Sequence, residues 1–243
     1  MQRSISYALT AGVLSSGAPA GLLGIRLAKA PADSVSLRQV HDEFVTDRAV
    51  YVYVGGATAV IFTLFGYILG RQADRLAALS ETDALTGLFN SRGFSARLNA
   101  EVRRSRRYRE PLSLLFLDLD GLKGINDCYG HRAGSETLRR VAHLIRSQLR
   151  ETDAAARWGG DEFTILTPNT GRDVALTLAE RIRRRVAGSA AEWPLTASIG
   201  VATLTSDDAT HGDSAALMRS ADAAMYMAKN AGKNTVVASP TVT

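Results

Sequence analysis

Residues Ala49–Gly70 run for 22 positions without a charge, between Arg48 and Arg71. Few structures accept such a run. About 20 apolar residues are what a helix needs to cross the hydrocarbon core of a bilayer. Val50, Val52, Val54, Val60, Ile61, Phe62, Leu64, Phe65, Ile68 and Leu69 supply the apolar surface, and Tyr51, Tyr53 and Tyr67 stand near the ends, as interfacial aromatics do. A buried core helix is the rival, but 22 uncharged residues are long for one. A second run of the same length, Ser4–Ile25, lies between Arg3 and Arg26. It is weaker, because it carries Pro19 and several Gly and Ser. Its alternative is a signal peptide cleaved at Ala28-Lys29-Ala30. The length and the sparse Leu favour a retained helix. The expectation is a two-helix membrane hairpin over 1–70, with spans at about 4–25 and 49–70.

The connection Leu27–Asp47 is short for a folded sensor domain, which takes about 50 residues or more. Arg3 and the Arg71/Arg75 pair favour both ends on the cytoplasmic side, yet the connection carries Arg26, Lys29, Arg38 and Arg48. Residues 71–82 read as a linker helix, and Leu69, Leu76 and Leu79 suit either a short coiled-coil seam or a plain helix.

From Arg71 onward the composition is that of a soluble domain. Helical periodicity over Ser91–Arg107 puts Phe94, Leu98 and Val102 on one face. Leu112–Leu119 is a continuous apolar run ending in acid, hence a buried strand. A helix follows at Ser135–Leu149, with Leu138, Val141, Ala142 and Ile145 inward. Asp153–Leu166 reads as a hairpin about Gly159-Gly160. Val174–Val186 is a helix, Leu195–Leu204 a strand, Ser214–Ala231 a helix and Thr235–Ala238 a last strand. The order implies an α/β (α+β) domain, a ferredoxin-like or palm antiparallel-rich sheet with flanking helices, which by itself names no function.

Composition narrows the chemistry. The only cysteine, Cys128, excludes an internal disulfide and any multi-cysteine metal site, and it reads as a packed side chain. A net charge of +5 fits nucleic acid, anionic lipid or a phosphorylated small molecule equally well. The arginines at 103, 104, 106, 107 and 109 suit a solvated face or one near anionic lipid. The sharpest feature is Gly159-Gly160-Asp161-Glu162-Phe163, two acids directly after two glycines at a hairpin tip. Asp118 and Asp120 end the apolar strand, and Lys229 and Lys233 flank Gly232. Strand-end acids that can share a hard cation, with lysines nearby, form the constellation of phosphoryl or nucleotidyl transfer. Asp120 also suits a plain strand-end stabiliser.

The segment from Asp83 onward resembles the GGDEF family of diguanylate cyclases. Its opening block is Asp83-Ala84-Leu85-Thr86-Gly87-Leu88-Phe89-Asn90-Ser91-Arg92-Gly93-Phe94. Asp118-Leu119-Asp120-Gly121-Leu122-Lys123-Gly124-Ile125-Asn126-Asp127 follows, then Gly130-His131 and Gly134, the glycine-glycine-acid hairpin, Tyr226, Ala228-Lys229 and Gly232-Lys233-Asn234. The resemblance implies a catalytic domain at 83–243 that condenses two GTP into cyclic di-GMP and releases pyrophosphate. It implies a homodimer with one GTP per subunit and a nucleotide rather than a nucleic acid as partner. Mg²⁺ (or Mn²⁺) is the implied cofactor, held by Asp118, Asp161 and the Leu119 carbonyl. Glu162 is the implied helper of the attacking 3′-hydroxyl, and Lys123 the transition-state cation. Lys229 and Lys233 are implied on the triphosphate, with the backbone of Gly121, Leu122, Gly159 and Gly160 close to phosphate. Lys233 stands where the family usually has Arg, so a bidentate fork is lost. Asn126, His131 and Ser135 are the implied base-end contacts, His131 being equally suited to a local cap.

Two finer expectations follow from the resemblance. Arg150-Glu151-Thr152-Asp153 matches the family's RxxD site for inhibition by product, with Arg181 as a contact from a neighbouring domain. Ser135 replaces an Asp that accepts from guanine, and a hydroxyl can donate or accept, so ATP becomes admissible and cyclic GMP-AMP a further product. A catalytically inactive domain acting as a cyclic di-GMP receptor is the alternative, disfavoured by the intact signature. GTP is cytosolic, so the expected location is a bacterial inner membrane, multi-pass and in contact with lipid, with the catalytic domain cytoplasmic.

Overall fold

The computed structural model describes residues 2–28, 37–189, 195–205 and 213–239. Contacts divide the chain into two compact units, 1–80 and 81–243.

In the first unit, α1 (Gln2–Leu14) and α2 (Gly17–Ala28) both pack on α4 (Arg48–Leu79), with α3 (Leu37–Thr46) leading into it. Two stretches, Ile5–Ile25 and Arg48–Arg75, are long and apolar enough to cross a membrane, and almost none of that surface is buried. Val52, Val60, Ile61, Leu64 and Phe65 all stand exposed on α4, the reverse of a soluble core helix. The first stretch is not the single helix expected at 4–25. It turns at Ser15-Ser16, where the Ser15 hydroxyl donates to the Gly12 carbonyl and Ser16 Oγ to the Val13 carbonyl at 2.8 Å. Such back-bonding competes with the helix ladder and bends it. The suggested cleavage site at 28–30 lies mostly outside the described residues, as do the side chains of Leu76 and Leu79.

The second unit is a three-layer sandwich. Its sheet runs in the order β2 (Ala154–Gly159), β3 (Glu162–Pro168), β1 (Leu112–Asp120), β4 (Thr196–Leu204), β5 (Val236–Ala238). All pairs are antiparallel except β4–β5. The central strand β1 is buried along its whole length, as its apolar run requires. Side chains alternate between faces. Leu115, Leu117 and Leu119 pack with α6 (Leu122–Ser147) and α7 (Arg172–Gly188), whereas Leu112, Leu114 and Phe116 pack with α5 (Ser91–Tyr108) and α8 (Ser214–Asn230). Asn90 caps α5 by accepting from the Gly93 N–H at 2.9 Å.

Helix α6 begins at Leu122, well before the expected Ser135, and breaks at Gly130, whose φ of 80° and ψ of 164° suit glycine alone. Its first half was hidden in the sequence because only Leu122 and Ile125 of that segment are buried.

Candidate active site

The site gathers where β1 ends. Register places Asp118 directly opposite Glu162 across the β1–β3 pair. The Leu119 N–H donates to the Asp161 carbonyl at 3.1 Å, fixing the hairpin turn beside the strand end. Like charges opposed across a sheet are unfavourable, so this arrangement is not a device for stability. Burial pushes the Asp118 carboxyl above its ordinary range, against the Lys229 hydrogen bond, and Asp161 and Asp120 add to the push. Glu162 is raised by burial and by the charges of Asp118, Asp161 and Asp222. Lys229 Nζ sits 2.8 Å from Asp118 Oδ2. Burial lowers that ammonium, yet Asp118, Asp161 and Glu162 outweigh it and hold the lysine above its usual value.

The hairpin tip differs from expectation by one residue. Gly159 closes β2 opposite Glu162, so the turn is Gly160-Asp161, and of the two glycines only Gly160 has a positive φ, 33°. A bulge at Trp158 accounts for the shift. The Trp158 ring packs edge-on against Phe94 and Phe116, each 6.3 Å between centroids. The bulge leaves Arg157 free to grip the turn, with Nε and Nη2 donating to the Gly160 carbonyl at 3.0 and 2.7 Å.

Arg157 also reaches Asp83 at 3.5 Å. Burial alone would raise the Asp83 carboxyl, but the Thr86 hydroxyl and N–H and the Arg157 charge hold it below its ordinary value. The opening block is stitched to β2 as well, since the Phe89 N–H donates to the Ala155 carbonyl and the Arg157 N–H to the Phe89 carbonyl. Arg157 and Asp222 carried no signal of their own in the sequence. An Arg two residues before the glycines, with an Asp opening the motif, was the available hint.

On the α6 side lies a cleft of about 490 Å³, lined by Lys123, Asn126, His131, Ser135, Gly160 and Asp161, among others. Lys123 and His131 are exposed, Asn126 and Ser135 half-buried. The break at Gly130 folds the second half of α6 back so that Gly134 faces Asn126, and a Cβ on Gly134 would overlap the Asn126 amide, 2.9 Å from its Cγ. The residues expected at the base end are thus together. Gly121, with φ 97°, starts α6, leaving the first N–H groups of the helix beside the strand end. Asp120 is elsewhere engaged. Its carboxylate accepts from Thr196 Oγ1 and Ser198 Oγ at 2.9 Å each and from the Asn234 N–H at 3.2 Å, which is the strand-end stabilising role.

Arg150 and Asp153 share one turn, the Asp153 carboxylate accepting from the Arg150 N–H at 2.9 Å, and both line a separate cleft of about 350 Å³. Arg181 is not brought to them. It lines the groove between α6 and α7, where Nη2 donates to the Gln148 carbonyl at 2.8 Å.

Comparison with known proteins decides the family. A family model for the diguanylate cyclase GGDEF domain matches residues 80–235. The chain belongs to the GGDEF family. Response regulator PleD of Caulobacter vibrioides is 40% identical over 177 residues, 70% of this chain and 38% of that protein. An uncharacterized membrane protein, SSP1970 of Staphylococcus saprophyticus, is 37% identical over 168 residues, 67% of this chain and 47% of that one. The chain therefore spans less than half the length of these curated relatives. Among solved structures, the GGDEF domain of DgcB from Caulobacter crescentus in complex with c-di-GMP is similar with a TM-score of 0.61 at 32% identity, covering 65% of this chain and 95% of that one. The second unit is thus a GGDEF domain in fold and in sequence.

The donor chemistry of this GGDEF domain suits a hard divalent cation. Among the described residues, no three His, Cys, Asp or Glu side chains enclose an ion by themselves. Mg²⁺ needs no such cage, because it is commonly held by one or two carboxylates with substrate phosphates and water. Asp118 and Asp161 meet that requirement, and burial makes the charge on Asp118 costly without a cation.

Proposed function

We propose that the chain is a membrane-anchored diguanylate cyclase that condenses two GTP into cyclic di-GMP. The observation that carries this reading is the Asp118–Glu162 register, with Asp161 in the adjoining turn and Lys229 on Asp118. Such crowded carboxylates beside a nucleotide-sized cleft suit a function rather than a fold.

Asp118, Asp161 and the Leu119 carbonyl would hold Mg²⁺ or Mn²⁺. When bound, the ion supplies charge neutralisation at the α-phosphate and a more acidic 3′-hydroxyl. Glu162, raised in proton affinity, faces that hydroxyl and takes its proton. The 3′-oxygen of one GTP bonds to the α-phosphorus of the other, the bond to the β-phosphate breaks and pyrophosphate leaves. Two such steps close the ring, which requires a symmetric dimer with one GTP per subunit. Lys123 offsets charge on the α-phosphate, Lys229 and Lys233 hold the β- and γ-phosphates, and Gly121, Leu122, Gly159 and Gly160 offer close backbone. Asn126, His131 and Ser135 contact the base. With serine in place of an acid, ATP is also admitted and cyclic GMP-AMP is made from mixed substrate. Arg150 and Asp153 take cyclic di-GMP as inhibitor, with Arg181 as a secondary contact from a neighbouring domain.

The two apolar stretches and the membrane-protein relative support anchoring by the first unit. Cytosolic GTP then puts the second unit on the cytoplasmic face, with both spans retained. Digestion of the second unit by protease outside intact spheroplasts would refute that orientation. The activity is tested on the full chain in detergent with Mg²⁺ and GTP. Pyrophosphate and cyclic di-GMP are expected. Binding of cyclic di-GMP by an intact dimer without turnover would instead establish a receptor.

A further inference from the structure

Lys233 stands in an unusual backbone. Gly232, Lys233 and Asn234 have φ of 107°, 65° and 45°, three left-handed residues in succession, two of them with side chains. A lysine occupies that region only where its surroundings hold it there.

On one side the Lys233 N–H donates to the Ala228 carbonyl at 3.2 Å, at the end of α8, and on the other side Asn234 holds the turn. The Asn234 N–H donates to the Asp120 carboxylate at 3.2 Å. Its side-chain Oδ1 and its carbonyl accept from Arg183 Nη1 at 2.6 and 3.2 Å. Both grips are themselves rigid. Asp120 is buried and accepts from Thr196 and Ser198 on β4. Arg183 on α7 is forked onto Glu180, with Nε to Oε2 at 2.8 Å and Nη2 to Oε1 at 2.7 Å, and its side chain is only 18% exposed. Lys229, four residues before Lys233, is committed to Asp118. Lys233 is exposed and has no carboxylate partner among the described residues.

We propose that Arg183 is a positioning residue for the triphosphate end of the nucleotide site: with Asp120 it clamps Asn234 and so presents Lys233 to the terminal phosphates. The inference rests on the site reading above and adds to it a residue from an element that does not otherwise border the site. A planar guanidinium suits the task, since one edge can hold the carboxylate while the remaining nitrogen reaches the turn, and lysine cannot do both.

The test compares two ligands. α,β-Methylene GTP, which cannot react, carries the terminal phosphates, and GMP lacks them. Both are titrated calorimetrically with Mg²⁺ into the full chain in detergent. Arg183→Ala should weaken the GTP analogue about three- to tenfold, the worth of one hydrogen bond, and leave GMP unchanged. Arg183→Lys should behave like Arg183→Ala. Arg183→Ala combined with Lys233→Ala should be no weaker than Lys233→Ala alone, because both act through one contact. Equal weakening of GMP and the analogue, additive losses, or an unchanged Arg183→Ala would overturn the clamp. Should Arg183→Ala melt early, Asn234→Ala removes the same side-chain bond from the exposed side and gives the same readout. A wild-type chain that binds neither nucleotide sinks the site reading and the clamp with it. A wild type that prefers the analogue, with variants that match it, sinks the clamp alone.

Discussion

The two ends of the candidate site are built on opposite principles. Around the strand-end acids, burial and neighbouring charge raise the proton affinities of Asp118 and Glu162, and Lys229 is drawn into direct contact with Asp118. Around Asn126, His131 and Ser135, side chains are neutral or exposed, and what shapes the surface is backbone, the break at Gly130 and the missing Cβ at Gly134. The first end depends on charge in a confined place and admits little substitution. The second depends on shape, so a change such as serine for acid can stand without disturbing the fold.

Loss of catalysis should separate the ends most. Asp161→Ala should reduce pyrophosphate release by about a thousandfold or more, since it removes charge from the reacting centre. Asn126→Ala should cost only about tenfold, the scale of a lost hydrogen bond. Steady-state assays on both variants check this, and equal losses would break the distinction. Next in size is selectivity. In an equimolar GTP and ATP reaction followed by mass spectrometry, Ser135→Asp should shift the products toward cyclic di-GMP by about 10- to 150-fold, the worth of hydrogen bonds to a charged acceptor. An unchanged ratio would mean that the base end reads shape alone.

Arg150→Ala lies outside both ends. It should raise the cyclic di-GMP concentration for half inhibition about tenfold while leaving initial rates untouched. The smallest effect is on stability. Asp118 and Glu162 bind protons more tightly folded than unfolded, so their ionisation costs stability as pH rises past the ordinary values of 3.8 and 4.5. Glu162→Gln should therefore raise the melting temperature at pH 7 by about 2 °C or less, below the shift for one kcal/mol in a chain of this size. At acid pH, with the Glu162 carboxyl protonated folded and unfolded, the gain should vanish. Glu180 works in the opposite sense. Arg183 and Arg184 hold it at about 2, so its contribution is complete above 4.5 and is lost only as pH falls toward 2.

Much of this was legible in the sequence where a local pattern carries the information. The run Leu112–Leu119 ending in acid reads as a buried strand, and the glycine dipeptide before two acids announces the hairpin. The turn was misplaced by one residue because a bulge at Trp158 leaves no trace in alternation. The turn at Ser15-Ser16 was hidden because serine interrupts neither charge nor length in an apolar run. Arg157 and Arg183 were missed for a different reason. The partners that give them their place here, Asp83 and Asn234, lie 74 and 51 residues away in the chain, and no spacing rule connects them. For Asp120 the sequence leaves two readings, a cation-sharing acid beside Asp118 or a strand-end stabiliser, and its bonds to Thr196 and Ser198 are of the second kind.

Gly130 divides α6 into halves with different thermodynamic allegiances. Beyond it, Leu138, Val141, Ala142 and Ile145 are sealed into the core, so those amides open only when the whole domain unfolds. Before it, only Leu122 and Ile125 are buried. The amides of that half should exchange with solvent through a local opening that leaves the sheet intact. A bound nucleotide would slow that opening and leave the far half unaffected. A boundary in exchange rate at residue 130 would mark where the ligand's share of the helix ends and the fold's begins.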